Sequence, residues 1–257
     1  MRENSNIFKL ALLFAIFIAA SPSLVHCQVD DAKTMVKTAD DLMRGDTSHG
    51  HYRMTVTTPD WQRTLELDAY SSGRDKTFIR ILSPAKEAGI TTLRIDMNLW
   101  NYLPKVERTT KIPPSMMLQS WMRSDFSNDD LVKESSIVND YIHTIVSEEK
   151  SGGFDTVKIN LTPKPDAAVT WGKLLYWVTK EGYIPVREKF YDEHGNLIKT
   201  LEYSQVKAMN DRSIPTVWKM TSSIHPGNVT VIEVQDAVFN EPIDDGTFSM
   251  SNLKSNL

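Results

Sequence analysis

The sequence predicts a mainly β protein, an antiparallel meander entered through one amphipathic helix, and three observations carry that prediction. Polarity alternates with a period of two through most of the chain after residue 49, the repeat of a strand with one buried face. Short, turn-rich junctions separate the alternating runs; they suit hairpins and are too short for the crossovers of parallel strands. Ahead of them, residues 32–43 follow a helical spacing.

In that helix Ala32, Met35, Val36, Ala39, Leu42 and Met43 form one apolar stripe. Asp30 or Asp31 stands where a side chain caps the first turn, Arg44 where a cation favours the last, and Gly45 where the helix stops. From His49 the period changes. Tyr52, Met54 and Val56 share one face, and His51, Arg53, Thr55 and Thr57 the other. Trp61, Leu65, Leu67 and Ala69 alternate with polar residues in the next run, across a Thr58-Pro59-Asp60 turn. Strands follow at 76–82, 91–95, 99–103, 141–147, 156–162, 171–179, 186–192, 197–203, 216–222 and 229–238. Turns such as Ser151-Gly152-Gly153 and Pro226-Gly227-Asn228 punctuate them. The rhythm breaks at Ile112 to Lys133, which reads as a short helix over Ser115–Met122, capped by Ser115 or begun by Pro114, and then an ordered polar loop. No linker, low-complexity tract or exact repeat divides the chain, so residues 28–257 are expected to form a single domain.

The N-terminus predicts export. Arg2 and Lys9 precede an apolar run from Leu10 to Ala20, followed by Ser21, Pro22 and a cleavage-like Val25-His26-Cys27, so residues 1–27 read as a signal peptide. Pro22 ends the run short of the roughly 20 apolar residues a membrane span needs. Cys27 also raises the alternative of a lipid anchor, against which His26 argues, since a small residue normally precedes a lipidated cysteine. Cleavage before Gln28 leaves no cysteine, hence no disulfide, thiolate or Cys-ligated metal. The net charge of −4 includes a leader contribution of +1 from Arg2 and Lys9 against Glu3, so the mature chain carries about −5. That balance disfavours nucleic acid and gives no reason to expect docking on anionic lipid, which needs clustered Lys and Arg.

Enzyme readings do poorly. No G-x-S-x-G, H-E-x-x-H, C-x-x-C or Gly-rich phosphate loop occurs. His49 and His51 share strand spacing, but no third ligand is tied to them by sequence, and a solvated strand face is favoured over a metal site. Asp125, Asn128, Asp129 and Asp130 are rich in oxygen ligands without the spacing of an EF-hand; capping of local backbone is the simpler role. No cofactor is expected. Met116, Met117, Leu118, Trp121 and Met122 are equally suited to core packing and to an adaptable ligand surface. Trp61, Trp100, Trp171, Trp177 and Trp218 suggest a broad apolar lining, with an ordinary sandwich core as the alternative.

Several stretches resemble one family. Leu82-Ser83-Pro84-Ala85-Lys86-Glu87-Ala88-Gly89, Asn98-Leu99-Trp100-Asn101-Tyr102-Leu103-Pro104-Lys105, the segment from Ile112 to Met122, Ser124 to Leu131, Ile214-Pro215-Thr216 and Pro242 to Phe248 are similar to those of LolA-like outer-membrane lipoprotein-sorting proteins. The resemblance implies an incomplete, strongly curved antiparallel β-barrel whose concave side is covered by the N-terminal helix and short helices, in the periplasm. It also implies a non-catalytic carrier that takes an acyl chain from an inner-membrane transporter and delivers it to an outer-membrane acceptor. The expected cargo is a lipid or acylated lipoprotein, and the expected state a monomer. On that reading Trp61, Leu65, Trp100, Tyr102 and Trp218 line a trough, and Met116, Met117, Leu118, Trp121 and Met122 form a movable lid. The alternative is an interaction module of the same fold with a filled core, docking a transporter or outer-membrane protein.

Overall fold

The computed structural model describes residues 31–133, 137–167 and 169–255. The expected signal peptide, with Cys27, lies outside the described residues. Helix α1 (Ala32–Arg44) starts at Asp31, whose carboxylate accepts a hydrogen bond from the Thr34 backbone N–H at 2.8 Å. It ends at Gly45, where φ is +63°, a conformation glycine adopts without the clash a Cβ brings. Ala32, Met35, Val36 and Ala39 of its stripe are buried.

Among the described residues thirteen strands follow: β1 (Thr47–Thr57), β2 (Gln62–Ser72), β3 (Lys76–Ser83), β4 (Thr91–Ile95), β5 (Asn98–Leu103), β6 (Arg108–Lys111), β7 (Tyr141–Ser151), β8 (Phe154–Pro163), β9 (Lys173–Thr179), β10 (Pro185–Tyr191), β11 (Leu197–Met209), β12 (Arg212–Ser222) and β13 (Val229–Phe239). They form one antiparallel sheet in the order β6-β5-β4-β3-β2-β1-β13-β12-β11-β10-β9-β8-β7. Two meanders thus meet at the β1–β13 pairing, from Ser48 opposite Phe239 to Thr57 opposite Val229. The sheet curls without closing, leaving β6 and β7 as its two edges.

This topology dictates the course of one connection. The chain leaves one edge after β6 and re-enters at the other in β7, and its described residues 112–133 and 137–140 form a strap across the concave side. Their contacts follow the sheet order. Met116 and Met117 pack near Leu99 of β5, the Trp121 indole N–H donates to Thr92 of β4 at 3.1 Å, Asp125 meets Thr230 of β13, and Asp130 meets Lys199 of β11.

Cross-strand partners share a face, and the two faces bury different clusters. On the concave side, α1 packs on Val157, Ile159, Leu161, Leu174, Tyr176 and Val178. There too, Met54, Val56, Leu65, Leu67, Ile79 and Ile81 of β1–β3 pack on Trp121. On the convex side of β3–β5, Phe78, Leu93 and Tyr102 pack on Phe248 and Leu253, carried by a 3-10 turn (Asp245–Phe248) and helix α3 (Met250–Leu253).

Two expectations are corrected. Strand β6 carries no alternation of its own, because Arg108-Thr109-Thr110-Lys111 has no apolar residue. It forms because a 3-10 turn at Pro104–Val106 and Glu107, at φ +47°, fold it back onto β5. The expected helix over Ser115–Met122 resolves instead into two 3-10 turns, Pro114–Met116 and Trp121–Arg123. Ser120 is extended between them and Met122 and Arg123 sit at φ +51° and +60°, so the i to i−4 ladder of an α-helix cannot run through. A two-turn helix, α2 (Asn128–Lys133), forms further on.

Candidate ligand cavity

The strap is fixed from both ends before it roofs anything. Asn128 donates from its side chain to the Met116 carbonyl at 3.0 Å, and the Asp129 backbone N–H to the Met117 carbonyl at 2.7 Å. Ser127 and Asp130 cap α2 reciprocally. The Ser127 backbone N–H reaches the Asp130 carboxylate at 2.7 Å, and the Asp130 N–H reaches the Ser127 hydroxyl at 3.3 Å. At the bend, the Arg63 guanidinium donates to the Met122 carbonyl and pairs with Glu87 at 2.6 Å, while the Arg123 guanidinium lies 5.1 Å from the Trp61 ring centre. Consecutive left-handed non-glycine residues are costly, and these contacts hold Met122 and Arg123 there.

Polar pins then tie the strap to the far half of the sheet. The Thr230 hydroxyl donates to Asp125 at 2.7 Å and accepts from the Asp125 N–H at 2.9 Å. Burial pushes the Asp125 carboxyl above the usual carboxylate range. Thr170 donates to Asp129 at 2.7 Å. Lys199, only 5% exposed, pairs with Asp130, its ammonium 4.8 Å from the Trp171 ring centre and 5.0 Å from that of Phe190. A buried ion pair of this kind is strongly destabilising to break from one side.

Between strap, α1 and sheet lies a cavity of about 250 Å³, just below the roughly 300–1,000 Å³ typical of ligand pockets. Trp121, Phe126, Leu131 and Ile137 come from the strap. Tyr52, Leu67, Ala69 and Ile79 come from β1–β3, and Met43 from α1. The other wall is Leu174, Tyr176, Phe190, Leu201, Tyr203, Trp218 and Met220 of β9–β12. Tyr52 and Tyr203 flank Trp218, with ring centres 6.0 and 6.3 Å away. Several polar groups at its border are already engaged. Asp40 pairs with Arg44 at 2.8 Å and with Arg74, the Ser48 and Ser71 hydroxyls meet at 2.7 Å, and Tyr203 donates to Glu188 at 2.7 Å. A space so bounded rewards an apolar occupant, because water inside would find few partners.

Of the residues expected to bind ligand, Trp121 and Trp218 line this cavity. Trp61, Leu65 and Met122 pack behind Trp121 in the β1–β3 cluster. Met116 and Met117 pack on Leu99 and Ile112, and Leu118 is 64% exposed. Trp100 and Tyr102 lie on the opposite face of the sheet, against the C-terminal segment. The structure therefore brings together a different set, adding Tyr52, Tyr176, Phe190, Leu201, Tyr203 and Met220 to Trp121 and Trp218. Their signal was the shared inward face of β9–β12, where Leu174, Tyr176, Phe190, Leu201, Tyr203, Trp218 and Met220 occupy alternate positions in paired strands.

The other candidates resolve simply. His49 stacks on Tyr70 with ring centres 4.1 Å apart. His51 contacts Asp68 at 2.9 Å and Glu66 at 3.2 Å, and the Asp68 hydrogen bond raises its pKa. Among the described residues no group of three or more His, Cys, Asp or Glu side chains is arranged to hold a metal ion, and no helix is long and apolar enough to cross a membrane.

Solved structures share this architecture. A DUF1329 family protein from Desulfovibrio piger superposes with a TM-score of 0.80 at 24% identity, over 88% of this chain and 98% of its own. A LolA superfamily protein from Nitrosomonas europaea gives 0.72 at 22%, over 87% and 99%. A protein described as an outer membrane lipoprotein-sorting protein domain, from Vibrio parahaemolyticus, gives 0.75 at 22%, over 87% and 98%. At these identities the likeness is one of fold. No curated protein matches the chain. A family model described as that of an uncharacterized protein matches residues 73–255. The chain therefore belongs to that family of uncharacterized proteins, and its fold is LolA-like.

Proposed function

We propose that this protein is a periplasmic carrier that shelters an acyl chain of a lipid or lipoprotein in the strap-roofed cavity and hands it between membrane partners. The observation that carries the reading is the unfilled apolar space walled by Tyr176, Phe190, Leu201 and Trp218 and roofed by Trp121. Burial of each methylene there gains about 0.8 kcal/mol, so transfer needs a good fit and no covalent step. The LolA-like fold and the apolar leader at residues 10–20 support export and carriage. The ligand contacts are assigned to the residues that line the cavity, Trp121 and Trp218 among them, and the strap acts as the roof that must shift for entry. Native mass spectrometry of delipidated protein titrated with an acylated peptide and with phospholipid tests this. One bound acyl chain, competed by free detergent, is the expected result; no bound lipid at any ratio would overturn it.

A further inference from the structure

The acidic composition hides a segregated surface on the side of the sheet away from the cavity. Lys158 of β8, Lys173 of β9, Arg187 and Lys189 of β10 and Lys219 of β12 alternate with the cavity-facing residues of those strands and so project from the convex face. Three of them crowd over Trp177, whose ring centre lies 5.1 Å from Lys158, 5.8 Å from Arg187 and 5.9 Å from Lys189; Lys173 stands 4.3 Å from that of Tyr191. Only two carboxylates answer them. Glu149 lies 3.9 Å from Lys158, and Glu202 3.0 Å from Arg187. Among the described residues, Lys173, Lys189 and Lys219 have no carboxylate within ion-pairing distance. Over β8–β12, five cations against two anions leave +3 on a chain whose net charge is −4. Beyond β12 the convex face turns acidic, with Glu233 and Asp236 of β13 and Glu66 and Asp68 of β2 gathered around Arg53 and His51. The cluster over Trp177 on β8–β10 lies at least three strand steps from β13, roughly 14 Å at about 4.8 Å per strand, which is more than one screening length of ~10 Å at ordinary salt.

We infer that this convex cationic face docks the protein on an anionic lipid surface. Four of the five cations are lysines, compact point charges on flexible stems, rather than the planar forks that read one carboxylate in a fixed geometry. They spread over four strands of a convex surface, which suits the diffuse charge of a headgroup layer better than the side chains of one acidic peptide. Docking by this face leaves the cavity, on the other side of the sheet, free to meet a partner. The inference stands apart from the carrier reading, because the two faces share no residue.

Sedimentation of the full chain with phosphatidylcholine vesicles, with and without phosphatidylglycerol, tests it. Binding is expected only with phosphatidylglycerol, falling about tenfold or more at high salt and by a similar factor in the variant Lys173→Gln/Lys189→Gln/Lys219→Gln. Those three lysines have no ion pair to lose, and Lys219→Gln alone provides a milder second variant. Equal binding to neutral vesicles, no binding to anionic ones, or full binding by the variants overturns the inference, as does capture by polyglutamate without vesicle binding, which points to an acidic protein instead. Titration of the triple variant with a fluorescent acyl probe separates the two readings: unchanged probe affinity leaves the carrier proposal standing whatever the vesicles show.

Discussion

The two halves of the sheet face the same concavity and use it differently. Beneath β1–β3 the strap inserts Trp121 and fills the space around Met54, Val56, Leu65 and Ile81, which are essentially inaccessible, while Tyr52, Leu67, Ala69 and Ile79 farther along the same strands border the cavity. Under β9–β12 the strap passes over the sheet on polar pins, and Tyr176, Phe190, Leu201 and Trp218 border an open volume. Both halves show the same alternation of apolar and polar residues. Enclosure is therefore decided by what crosses the strands. An indole fills one side, and short carboxylate contacts hold the roof off the other.

That contrast can be broken at its strongest point first. Lys199→Met strands the Asp130 carboxylate beneath the roof, and about 3–5 kcal/mol of stability should be lost. Adding Asp130→Asn should recover much of it, read by urea denaturation. Hydrogen exchange should show amides 125–131 opening while β1–β5 keep their protection. Equal loosening of both halves would contradict the division. Leu65→Ala attacks the filled side and should cost about 2–5 kcal/mol of global stability with acyl-probe affinity unchanged in the folded protein. Ala69→Phe pushes a ring into the cavity, so probe affinity should fall about tenfold for a stability change of about 1–3 kcal/mol. A smaller effect concerns pH. The half-buried Asp125 has a raised pKa in the folded protein, so its contribution to stability is present below the ordinary carboxylate value and lost as pH rises through the raised one. Asp125→Asn should flatten that segment of the stability–pH curve; an unaltered curve would assign the dependence elsewhere. Leu118→Ser, at an exposed turn, should leave both properties within about 0.5 kcal/mol.

Much of this architecture is legible without coordinates. The stripe of α1 and the alternation of β1, β2 and β7–β13 are local signals, and the turn residues between them enforce antiparallel order. What is not local was missed. Arg108–Lys111 carries no pattern of its own and becomes a strand only by pairing with β5. Trp100 and Tyr102 alternate like cavity residues, yet Phe248 and Leu253 cover their face from far along the chain. The methionine-rich segment looks helical by composition, but crossing a concave sheet between two edges requires the extended Ser120 and the left-handed Met122 and Arg123. The cationic face was equally invisible, because residues 158, 173, 187, 189 and 219 are scattered in sequence and adjacent only across strands.

The central claim is that the unfilled half, and not the filled one, receives hydrocarbon. Crystals grown with an acyl chain brominated near its end measure this directly through the anomalous signal of bromine. The signal is predicted between Phe190, Leu201 and Trp218, beneath Trp121; a peak beside Trp61 and Leu65, or none inside the sheet, contradicts the account.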